Sequence, residues 1–210
     1  MAGTKKGGAD ASDERIAFTS PLVYQLKVTL KGAKPPIWRR LLVTDDITLR
    51  RLHNMLQVAC GWSNSHLHAF KVGRVSYGRT DPEWPDDMRS DVRKRLDSLG
   101  LAEKDKLEYV YDFGDWWEHT ILVEAVRPRK GGEVLPVCVT GRRAFPPEDC
   151  GGIWAYGDLL EALADPTHPE HEAILEWVGP YFDPEAVDLD LINQELALVA
   201  KGHEPGIGWG

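Results

Sequence analysis

Two absences shape the reading of this chain. From Ala144 to Ala200 there are thirteen acidic residues and not one lysine or arginine. Nowhere is there an apolar run near the ~20 residues needed to cross a bilayer, so no membrane span is expected. Cysteine is scarce too: Cys60, Cys138 and Cys150 are an odd set without CxxC spacing, which excludes a zinc ribbon and argues against a disulfide framework. That usage predicts a reducing, cytoplasmic setting. No P-loop, GxGxxG, GxSxG, HExxH or DNA-reading helix-turn-helix signature occurs, so no motif-defined nucleotide, hydrolase or DNA-binding class applies. Met1 to Ser20 has Lys5 and Lys6 but no apolar stretch behind them, which is not a signal-peptide pattern. Residues 1–20, rich in Gly, Ala, Asp and Ser, are expected to form a disordered leader, and residues 202–210 a flexible tail.

What is present suits one core: 210 residues, 42% hydrophobic and 28% charged, with a net charge of −8. That charge is unevenly spread. Leu22 to Val75 holds nine bases against two acids, Asp45 and Asp46, opposite in sign to the acidic C-terminal third. Either the two halves attract each other within the fold, or the basic part presents a face to phosphate. An acidic protein gains little from non-specific electrostatics on DNA.

Tyr24, Leu26, Val28 and Leu30 alternate with polar residues, the pattern of a half-buried strand, and Ile37 to Val43 returns as a second. Thr48 is placed to cap a helix carrying Leu49, Leu52, Leu56 and Ala59, with Gly61 at its C-terminal cap. His66 to Val72 and Arg74 to Tyr77 read as strands, Gly78 to Arg89 as loop and Asp91 to Leu99 as a short helix. Leu107 to Phe113 and Trp116 to Val126 read as a hairpin turning on Gly114-Asp115, a type II′ pattern. Arg127 to Gly152 is expected to be irregular, with helices following near Tyr156–Ala164, Glu170–Val178 and Leu189–Ala200. Hairpins followed by helices predict a single α+β domain over residues 21–201, with a largely antiparallel sheet.

Candidate chemistry concentrates in Tyr111-Asp112-Phe113-Gly114-Asp115-Trp116-Trp117-Glu118-His119. With the turn at Gly114-Asp115, Val110 would face His119, and Asp112 would be its diagonal neighbour within reach of a shared metal or water. An imidazole and a carboxylate suit zinc, manganese or iron, and also suit acid–base work. The bland alternative is that Asp112 and Asp115 accept turn N–H groups while His119 packs beside tryptophan. His66 and His68, two apart on an expected strand, share a face; His53 reads as a core histidine. Pro146-Pro147-Glu148-Asp149-Cys150-Gly151-Gly152 could bring Glu148 and Asp149 to such a site, or merely cap the next helix. The candidate metal set is therefore His66, His68, Asp112, His119, Glu148 and Asp149. Trp38, Arg39, Arg40, Arg50 and Arg51 form the candidate anion or nucleic-acid surface, unless those arginines pair with local carboxylates.

The ordered array Pro35-Pro36-Ile37-Trp38-Arg39-Arg40, Leu52-His53, Gly61-Trp62, His66-Leu67-His68-Ala69-Phe70, Tyr109 to Asp115, Trp117, His119 and Pro146 to Gly152 resembles the plasmid pRiA4b ORF-3-like family over roughly Leu22 to Ala200. One departure is Ala155-Tyr156, where a Gly-Tyr pair is expected. The resemblance implies an α+β domain of bacteria and archaea, often carried on plasmids or insertion sequences. Some relatives bear a resolvase-like label, but this chain offers neither a serine-recombinase domain nor a convincing Arg, His, Arg, Tyr set. The leading expectation is a binding or accessory module tied to mobile DNA, contacting nucleic acid or a protein partner. The alternative is a metal-dependent hydrolase of phosphoesters, with the arginines neutralising substrate phosphate.

Overall fold

The structure is a computed structural model describing residues 22–79 and 88–205, so the expected leader and most of the expected tail lie outside the described residues. Alternation in the first segment becomes β1 (Leu22–Leu30), which pairs with β2 (Trp38–Thr44) on one side and β7 (Trp117–Pro128) on the other. Between β2 and β7 come α1 (Leu49–Cys60), β3 (His68–Val72), β4 (Val75–Gly78), the two-residue β5 (Arg89–Ser90) and β6 (Lys106–Tyr111). Then follow β8 (Val137–Arg142), α2 (Gly152–Ala164), α3 (His171–Val178) and α4 (Leu189–Ala200). The sheet order is β5-β4-β3-β6-β7-β1-β2-β8, antiparallel throughout except for β4 beside β5. This is the expected single α+β domain with a mostly antiparallel sheet.

Period-two patterning sorts the two faces. Leu26, Val28, Leu41, Val43, Phe70, Tyr109, Ile121 and Val123 point inward and are fully or almost fully buried. Leu52, Leu56, Leu159 and Leu196 of the helices join them in one core. On the opposite face Lys27, Arg40, Thr120 and Glu124 are only half-buried, as expected of an antiparallel sheet covered on one side. At the start of α1 the Thr48 hydroxyl accepts from Arg51 N (3.2 Å). Gly61 ends the helix at φ 77°, where a side chain would be strained.

Four expectations are corrected. The expected Asp91–Leu99 helix is one 3-10 turn at Asp97–Leu99, because Asp91 is drawn into the interior as a hydrogen-bond acceptor. The expected loop Gly78–Arg89 gives its first residue to β4 and its last to β5, while residues 80–87 lie outside the described residues. The expected irregular stretch Arg127–Gly152 contains β8, whose alternation Gly141 and the flanking prolines disguised. α2 begins at Gly152, four residues before Tyr156. β8 lies at a sheet edge, and there the Asn193 side chain of α4 accepts from Cys138 N (2.7 Å) and donates to Cys138 O (3.0 Å).

Candidate functional site

Three loops meet at one end of the sheet: Ser63–Leu67 before β3, Asp112–Trp116 between β6 and β7, and Pro146–Gly151 before α2. The middle loop is longer than the expected two-residue turn. Tyr111 pairs with Trp117 and Tyr109 with His119, one residue out of the expected register, so five residues connect the strands. The cause is Asp112, whose carboxylate Oδ1 accepts from Gly114 N (2.8 Å) and whose carbonyl accepts from Trp116 N (2.7 Å). These bonds turn the chain immediately after Tyr111, with Asp112 and Trp116 both at φ 57°. A non-glycine residue there is strained by about 1 kcal/mol or more, and such strain gathers at functional sites.

The turn directs Asp112 Oδ2 toward His66, which stands 3.8 Å away through its Nε2. Asp149, also at positive φ (60°), brings Oδ1 to 3.0 Å from the same nitrogen. Despite that distance the buried Nε2 atom makes no hydrogen bond, because the carboxylate lies off the line an N–H would need. One ligand atom from each of His66, Asp112 and Asp149 lies within 4.8 Å of the others. Donors bound ~2.0–2.2 Å from one ion are at most ~4.4 Å apart, so the trio needs only slight closure to share one.

Glu148 stands behind this trio. Its carboxylate accepts from Ser63 N (2.8 Å), the Ser63 hydroxyl and the Tyr111 hydroxyl (2.6 Å), tying the loop of His66 to that of Asp149. Tyr111 Oη also accepts from His66 N (3.3 Å). The second and third loops lie in direct contact: the Asp115 side chain accepts through Oδ2 from Gly151 N (3.1 Å), and the backbones approach so closely that a Cβ on Gly152 would sit 2.6 Å from Asp115 O. Phe113 and Trp116 flank Asp112 with 40% and 57% of their surface exposed, their rings 5.9 Å apart. Burial, reinforced by Asp115, pushes the Cys150 thiol up to about 12. It stays protonated at neutral pH and is a poor nucleophile.

Of the six metal candidates, the structure brings together His66, Asp112 and Asp149 and holds Glu148 one contact away. The other two are elsewhere. His66 precedes β3 instead of lying on it, so it does not share a face with His68. His68 is buried, gives Nε2–H to Asp91 (2.8 Å) and stacks on His53 with ring centroids 3.4 Å apart. His119 is fully buried, with Nδ1 donating to Tyr109 O (3.3 Å) and Nε2 unpartnered. Burial pulls its pKa down to about 4. The corrected register carries it inward, away from Asp112.

The arginine surface is mostly committed to internal contacts. Arg40 forms a two-point pair with Glu124 beside Trp38, and Arg50 does the same with buried Asp91, both bonds at 2.9 Å. Arg39 is buried, its Nη1 donating to backbone carbonyls. Arg51 is exposed and meets no carboxylate at ion-pair distance among the described residues. Sequence reasoning did not single out Ser63 and Tyr111 as the holders of Glu148; the only signal is the polar run Ser63-Asn64-Ser65 directly before His66.

An α+β domain with a one-sided antiparallel sheet and three polar loops gathered at one sheet end is the class that fold and site define. The chain belongs to the plasmid pRiA4b ORF-3-like protein family, which it matches over residues 22–191. It is 42% identical over 185 residues to the uncharacterized protein y4hQ of Sinorhizobium fredii (strain NBRC 101917 / NGR234), covering 85% of this chain and 93% of that one. It is also similar to the crystal structure of MM3350, a protein of unknown function from Methanosarcina mazei Go1. That match has a TM-score of 0.74 and 36% identity, over 82% of this chain and 98% of the other. Among the described residues no helix is long and apolar enough to cross a membrane.

Proposed function

We propose that the three-loop site binds a divalent metal through His66, Asp112 and Asp149 and that the protein is a metal-dependent hydrolase. The observation that carries this is the buried His66 Nε2, unpaired yet facing two carboxylates set on strained backbone. One imidazole with two carboxylates suits zinc, manganese or iron. Three protein donors leave room for water and substrate, the arrangement of catalytic metal sites, where a bound water becomes a nucleophile near neutral pH. Glu148 and Tyr111 hold the loops in register behind the donors. Phe113 and Trp116 give an apolar rim on which a substrate's flat or apolar part can rest.

The accessory-module reading rests on exposed arginines, and Arg39, Arg40 and Arg50 are already engaged within the fold. The test is metal content after reconstitution with zinc, manganese or iron, followed by turnover of bis-p-nitrophenyl phosphate. The expected result is one ion per chain, lost in His66→Ala and Asp112→Ala with circular dichroism unchanged, and metal-dependent hydrolysis. Glu148→Gln should weaken metal binding by about tenfold or more. Wild-type protein that takes up no ion would overturn the reading. Stoichiometric metal with no turnover of any phosphoester would reduce it to a metal-binding module.

A further inference from the structure

A second cleft shares Pro146 and Pro147 with the third loop but uses none of His66, Asp112, Glu148 and Asp149. The end of α1 (Val58–Gly61), the Ala144–Pro147 loop and the segment from Val178 into α4 enclose a cleft of about 430 Å³. That size falls within the range of small-molecule pockets. Its walls are apolar, with Val58, Phe145, Phe182 and Ile192 among them, yet Arg39 also lines it.

Arg39 is unusual for its position. It projects from the inward face of β2, where its neighbours Leu41 and Val43 are fully buried, and it is itself only 4% exposed. Its three hydrogen bonds all run from Nη1, to Trp38 O (3.0 Å), Arg142 O (3.4 Å) and Arg143 O (2.7 Å). Nε is buried without a partner, and no carboxylate lies within ion-pair distance among the described residues. The guanidinium sits 5.0 Å from the Phe145 ring centroid. A guanidinium keeps its proton even when buried, so this is a desolvated positive charge without a counter-ion, an arrangement that is costly unless something supplies one. The fold makes room for it: Gly141 is the cross-strand partner of Arg39, and a Cβ there would sit 2.6 Å from Arg39 Cδ.

We infer that this cleft binds a small organic monocarboxylate, its carboxylate on the Arg39 guanidinium and its apolar body against Phe145, Phe182 and Ile192. A planar carboxylate matches the guanidinium fork and supplies the counter-ion that Arg39 lacks. The mouth favours a single charge over a phosphate dianion, because exposed Asp183 and Asp188 line it. Those two carboxylates already accept from Glu185 N and Leu191 N, both at 2.9 Å.

The test is calorimetry on the full chain with sodium octanoate, 1-octanol and inorganic phosphate, each in the presence of EDTA so that the three-loop site plays no part. Octanoate should bind saturably at one per chain, with octanol and phosphate weaker by about tenfold or more. Arg39→Met keeps the volume and removes the charge, and should cost octanoate about tenfold or more. Ala186→Trp fills the exposed wall and leaves Arg39 in place, so it should block binding even if Arg39→Met does not fold. Failure of wild type to bind octanoate overturns the inference. So does octanol binding as tightly as octanoate, or octanoate affinity unchanged in the folded variants.

Discussion

Asp91 has no exposed surface, and three donor atoms converge on its carboxylate: Nε and Nη2 of Arg50, and Nε2 of His68. Those partners hold its pKa well below the usual carboxylate range against the opposing effect of burial. Burial keeps His68 neutral, so the arrangement is a carboxylate shared between one cation and one neutral imidazole. Removing the acceptor strands both donors. Asp91→Ala should therefore lower the unfolding free energy by about 3–5 kcal/mol, and Asp91→Asn by less, read from urea midpoints. The neighbouring His53 has a defined tautomer. Nε2–H donates to Asn64 Oδ1 (2.6 Å) and Nδ1 accepts from Tyr109 Oη (2.8 Å), which in turn accepts from Gln57 Nε2 (2.9 Å). Unlike His66, this histidine has both nitrogens satisfied, which separates a structural imidazole from a candidate ligand.

At the level of elements, the candidate site depends on how closely two loops approach. Gly152 opens α2 at φ 81°, and its missing Cβ lets the chain pass against Asp115 O. Gly152→Ala should push the Asp149 loop away from the Asp112 loop. Metal affinity should drop by on the order of tenfold or more while the far-ultraviolet spectrum stays that of the wild type. An affinity equal to wild type would mean that Asp149 does not need this contact. Much of this arrangement was legible in the sequence: strand alternation placed β1, β2 and β7, and Thr48 and Gly61 marked the limits of α1 within a residue. The three donors could also be picked out as candidates. Two kinds of information were hidden. The register of β6 and β7 depends on an Asp112 side chain that competes with the strand for backbone donors, which a glycine-based turn rule does not weigh. The exclusion of His68 and His119 depends on which strand ends where, and a one-residue slip reverses every face.

Across the whole molecule, three buried histidines set the response to acid. Burial lowers the pKa of His53, His68 and His119, the last from an ordinary value near 6.5 to about 4. Between those two values the unfolded chain takes up a proton that folded His119 refuses, so stability falls as pH drops through that window. Above pH 6.5 the full stability is present; by about pH 4 the His119 contribution, roughly 3 kcal/mol, is gone. Urea midpoints from pH 7.5 to 4.5 should fall steadily, and His119→Gln should flatten the slope. A wild-type midpoint independent of pH would contradict this account.

The amide of Asn193 answers both the N–H and the C=O of Cys138 at the outer strand, as a neighbouring peptide unit would. It is a counterfeit strand one residue long. A sheet grows by recruiting whatever backbone comes to its open margin, including that of a second molecule. At this margin the vacancy is taken by a side chain anchored on α4, which offers no further backbone to pair with. The fold thus carries its own stop signal for strand addition, and the helix that closes the core also sets where the sheet ends.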